Sequence, residues 1–94
     1  MVRIGEIKEI KGLLYHVVEI IPQFDFGSRK MWQLSVWMED PKNKMPDGTH
    51  YKSPTFHLWM KQGQTPEQLF ESHADWYLSQ TANIRELVKS LPKP

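Results

Sequence analysis

Large apolar residues stand at both parities of the stretch Lys30-Met31-Trp32-Gln33-Leu34-Ser35-Val36-Trp37-Met38-Glu39. That is the alternation of a strand with something to cover on each of its faces. Trp32, Leu34, Val36 and Met38 form the denser set and are assigned to the core, leaving Met31, Gln33, Ser35, Trp37 and Glu39 on the other face. A strand is expected over 30–39. The segment Thr55-Phe56-His57-Leu58-Trp59-Met60 alternates again, giving a strand over 55–61 with Phe56, Leu58 and Met60 inward and Trp59 outward.

The first third of the chain carries two patterns. Ile7, Ile10, Leu14, Val17 and Ile21 fit a helical spacing, but Gly12 sits in the middle and Val17, Val18, Ile20 and Ile21 are β-branched, which favours strands. Strands over 3–10 and 13–21, joined at Lys11-Gly12, are the preferred reading. Pro22 lacks the N–H of an interior ladder and is expected to stop the second strand, with a turn in Phe24-Asp25-Phe26-Gly27-Ser28-Arg29. Residues 40–54, with Pro41, Pro46 and Pro54, read as a long loop carrying a tight turn at Asp47-Gly48.

At Thr65-Pro66-Glu67-Gln68 the period changes. A capping hydroxyl is followed by proline at the first helical position, an acid in the first turn and a capping-box Gln. Phe70, Ala74, Tyr77, Thr81, Ile84, Val88 and Leu91 then recur in steps of three and four, predicting a helix over 66–90. Ser79-Gln80-Thr81-Ala82-Asn83 is a weak helix former where a kink would fall. The expected fold is α+β, a small antiparallel sheet of about four strands with one C-terminal amphipathic helix packed on one face, in a single domain over 1–94.

Composition narrows the functional classes. Twelve Lys and Arg against eleven Asp and Glu leave a net charge of +1, far from the strongly basic balance of a general duplex binder. The chain has no cysteine, which removes disulfides, thiolate zinc sites and thiol nucleophiles. Neither a signal peptide nor a membrane-spanning apolar run is apparent, so a soluble, cytoplasmic protein is expected.

Trp37, Trp59 and Tyr15 are assigned to an aromatic patch on the sheet face away from the helix, a candidate binding surface. Lys42, Lys44 and Lys52 lie in the 40–54 segment beside Tyr51, so single-stranded nucleic acid is the alternative ligand. Glu67, Glu71 and Asp75, each four apart, line one helix face with no Lys or Arg close in sequence; they stabilise the start of the helix through its dipole or meet a basic partner surface.

The four histidines are too widely spaced for a local zinc motif, and a metal site would have to be assembled across elements, for example from Asp47, His50 and His57. There is no GxSxG elbow and no Gly-rich phosphate loop, and no cofactor or enzymatic activity is expected. The sequence therefore points to a small protein-binding module, of the adaptor, inhibitor or regulatory kind found among phage and mobile-element accessory proteins. A homodimer or structural assembly component meeting through the aromatic face is a further alternative.

Overall fold

The computed structural model describes the backbone of residues 2–26 and 29–90, and the side chains of 2–21 and 31–83. The chain forms β1 (Ile7–Ile10), β2 (Leu13–Phe26), β3 (Arg29–Lys44), β4 (His50–Lys52), β5 (Phe56–Lys61) and α1 (Pro66–Ser90). All strand pairings are antiparallel, in the order β1-β2-β3-β4, and β5 also pairs with β3. The α+β class and the C-terminal helix agree with the sequence pattern.

The hairpin reading of the first third is the one adopted. Lys11 and Gly12 take φ of 54° and 83°, the paired positive values of a type I′ turn, whose twist matches the flanking strands. β1 is shorter than expected because the chain turns over residues 3–6, where the Glu6 N–H donates to the Arg3 carbonyl at 3.0 Å and Gly5 adopts φ of 87°.

Pro22 does not stop the second strand. β2 continues to Phe26, and its register with β3 shifts between Ile21 and Phe24, placing Pro22 and Gln23 at an irregularity; a bulge tolerates proline because the missing N–H is not asked to bond there. Gly27 and Ser28 of the expected turn lie outside the described residues. A second shift falls between Val17 and Glu19, leaving the extra Val18 exposed. That bulge reverses the parity of β2, so Tyr15 and Val17 before it and Ile20 after it all serve the helix side.

Residues 40–54 are not one long loop. β3 runs on through Pro41 to Lys44 and pairs with the short β4, while its register jumps between Asp40 and Lys44. Buried Asp40 accepts the Lys42 N–H at 3.1 Å, which shapes the irregular segment around Pro41. The tight turn at Asp47-Gly48 is present, with Gly48 at φ of 91° and its N–H donating to the Met45 carbonyl at 3.0 Å. β4 and β5 occupy successive lengths of the same side of β3. Ser53 bridges the gap between them, exchanging hydrogen bonds of 2.8 Å with the Met38 backbone through its own N–H and its hydroxyl.

The start of α1 follows its sequence signature, with Thr65 and Gln68 bonded reciprocally at 2.9 and 3.2 Å. The helix is continuous through the weak Ser79–Asn83 stretch, where the Thr81 hydroxyl donates back to the carbonyls of Tyr77 and Leu78. Phe70, Ala74 and Tyr77 enter a core made with Leu13, Tyr15, Val17, Leu34, Val36 and Met38. Ile84, Val88 and Leu91, expected on the same stripe, lie outside the residues whose side chains are described.

Candidate functional site on the uncovered sheet face

Cross-strand partners point to the same side of a sheet, so the registers assign each face. Beside Leu34, Val36 and Met38 stand Ile20, Val17 and Tyr15, and this is the side that α1 covers. The opposite side carries His16 beside Trp37, Leu14 beside Glu39, Trp59 beside Gln33, and His57 beside Ser35. No described element packs over it.

On this face a carboxylate is held between two imidazoles. His16 Nε2 donates to Glu39 Oε2 at 2.6 Å and His50 Nε2 donates to Oε1 at 2.9 Å. β2, β3 and β4 each supply one member. The His16 ring also stacks on the Trp37 indole, with centroids 3.7 Å apart and planes 8° from parallel. The donors of His50, then of His16, hold the Glu39 carboxyl below the usual carboxylate range, because hydrogen bonds to the ionised form favour it. Glu39 is only 13% exposed. Charge-assisted bonds at such a site weld three strands together and fix the Trp37 ring.

Exposed apolar residues share this face, Ile7 (54%) beside His16, and Trp59 (47%) and Ile21 (36%) on either side of Gln33 further along β3, with Glu19, Ser35 and His57 in the row between. Ser35 Oγ lies 2.9 Å from Nδ1 of His57, and Ser35 is itself buried. Lys44 stands opposite His50, and Lys52 opposite Glu39, so both lysines project on the side of Trp37.

The expected site residues thus separate. Trp37 and Trp59 share the uncovered face as the alternation required, with Trp37 partly buried by its histidine. Tyr15 does not join them. It pairs with Met38, is 0% exposed and stacks on Phe70 at 5.0 Å, so it is a core residue. Tyr51 turns to the helix side and stacks on Tyr77 at 5.7 Å, away from Trp37, and Lys42 is exposed at the irregular end of β3.

The acidic line is also occupied from within. Lys8 lies 3.7 Å from Glu67, and Lys11 reaches Glu71 at 3.9 Å and hydrogen-bonds Asp75. The β1–β2 hairpin therefore supplies the cations that the sequence near the helix lacks. The Asp75 carboxylate raises the Lys11 pKa. These pairs are well exposed and screened, so they orient the hairpin on α1 more than they stabilise it.

The histidine and acid set considered for a metal is dispersed. His50 bonds Glu39, His57 bonds Ser35 and Asp47 bonds Thr49, and among the described residues no three candidate ligands converge on one ion. No described helix is long and apolar enough to cross a membrane.

His16, Glu39 and His50 were not singled out together from the sequence. Alternation places His16 and Glu39 on definite faces of their own strands, but joining them to His50 requires the three-strand register. No protein-family model, curated protein or solved structure matches the chain.

Proposed function

We propose that this chain is a small non-catalytic protein-binding module, an adaptor, inhibitor or regulatory accessory protein, that docks a partner on the uncovered sheet face. The observation that carries the reading is the composition of that face. Exposed Ile7 adjoins a hydrogen-bonded Trp37–His16–Glu39–His50 centre, and exposed Trp59 and Ile21 stand on the same face four residues along β3, on either side of Gln33, giving apolar anchors with polar groups already positioned. Trp anchors concentrate binding energy because they bury a large area at little conformational cost.

Trp59→Ala and Trp37→Ala are expected to abolish capture of a stoichiometric, nuclease-resistant partner from a lysate of the source organism, while the far-UV spectrum stays native. Undiminished capture by both folded variants would remove this face from the interaction.

Single-stranded nucleic acid is the second reading, supported by Lys44 and Lys52 lying on the side of Trp37. It expects quenching of Trp fluorescence by oligonucleotides at low salt that fades steeply as salt rises. No quenching at low salt would eliminate it.

A further inference from the structure

On the other side of the sheet, at the junction of β4 and β5 with α1, lies a groove of about 260 Å³. Pockets for drug-sized ligands measure roughly 300–1,000 Å³, so the groove lies just below the small end of that range and has the size for one or two side chains of a peptide. Its lining is aromatic, with Tyr51, Phe56, Trp76 and Tyr77 joined by His73 and floored by Met38. Tyr51 stacks on Tyr77, and His73 stacks on Phe56 at 4.4 Å, so the rings brace one another. Trp76 stands at the rim, 59% exposed.

The polar chemistry of the groove selects its occupant. No Lys, Arg, Asp or Glu lines it, and burial pushes His73 towards its neutral form, so a charged side chain entering would be desolvated without a counter-ion. Asp40, behind Tyr77, is already engaged by the Tyr77 hydroxyl at 2.9 Å and by the Lys42 N–H. The Tyr51 hydroxyl and the Trp76 indole N–H have no hydrogen-bond partner among the described residues, and every described buried side-chain polar atom has one. Tyr51 is partly buried and Trp76 exposed, so both are uncommitted donors beside aromatic rings.

Strand addition is disfavoured at this lip. Pro54 has no N–H, and the Ser53 N–H is spent on the Met38 carbonyl. An occupant with acceptors, uncharged apolar surface and no need of backbone pairing fits this lining. A polyproline II segment has that chemistry, since its prolines carry carbonyls without N–H groups and its extended form is fixed before binding.

We propose that the Tyr51–Phe56–Trp76–Tyr77 groove is a docking site for proline-rich, polyproline II segments of a partner protein, separate from the uncovered sheet face. The test titrates the full chain with decaproline and with a Gly/Ser decapeptide, following the Trp76 indole N–H by NMR. Saturable shifts with decaproline alone, centred on Trp76, Tyr51, Phe56 and His73, are expected. Tyr51→Phe keeps the ring and removes one donor, and should weaken binding from a fewfold to about tenfold. Trp76→Ala should abolish binding with the far-UV spectrum unchanged, and Trp59→Ala should leave it intact.

Three results would each overturn the proposal. They are an equal response to the Gly/Ser peptide, shifts that map to Trp37 and Trp59, and no saturation at millimolar decaproline. Because Trp59→Ala separates the two faces, failure of the groove leaves the sheet-face reading standing.

Discussion

His73 shows how much one side chain on α1 decides. Its Nδ1 lies 2.8 Å from the Tyr15 hydroxyl, its ring stacks on Phe56, and no charged group contacts it among the described residues. Burial lowers its pKa below the ordinary histidine value of about 6.5, so the native state holds this imidazole neutral and able to accept a hydrogen bond from the Tyr15 hydroxyl. Below about pH 6.5 the unfolded chain takes up the proton more readily, and folding stability falls as pH drops through that window. Urea titrations of the wild type and His73→Asn should show the wild-type advantage shrinking from pH 7 to pH 5; a constant difference would contradict the assignment. Glu39 acts further down, its contribution present above the ordinary carboxylate value and lost as pH falls through its lowered native one. Tyr15→Phe retains the Phe70 stack but strips His73 of its donor. It should cost about 1–3 kcal/mol, read as a shifted urea midpoint with an unchanged slope.

At the level of elements, legibility followed how local the determining physics was. α1 could be read because its cap, its proline and its apolar period all lie within its own residues, and Thr65→Ala is expected to cost about 1 kcal/mol of stability in thermal or urea unfolding. The two faces of β3 could be read for the same reason, since Leu34, Val36 and Met38 outweigh their neighbours. Tyr15 was misplaced because the face of β2 depends on its pairing with Met38, and the Val18 bulge breaks the alternation beyond it. β4 was hidden because a three-residue strand between prolines has no periodicity of its own and exists as an addition to β3. The same non-locality concealed the histidine–carboxylate centre, built from three strands. It also concealed the cations facing Glu67, Glu71 and Asp75, which sit more than fifty residues away in the chain.

The whole molecule is elongated, with extents of 56 × 26 × 19 Å and a radius of gyration of 16.1 Å, against about 12 Å for a compact domain of this length. A sheet this long, covered on one side by one helix, leaves a long face on which Trp59, Ile7 and Ile21 stand exposed among polar residues. A partner can take it, or a second copy can. If the face serves a partner, sedimentation should be that of a monomer across micromolar to hundred-micromolar concentrations, with the solution radius of gyration near the value above. Trp59→Ala should then change neither quantity, because Trp59 is half exposed and lies outside the buried core. If copies pair through this face, the weight-average mass should rise with concentration and the same substitution should return it to the monomer value. That second result would assign Trp37 and Trp59 to self-assembly, leaving the aromatic groove beside α1 as the surface available to another protein.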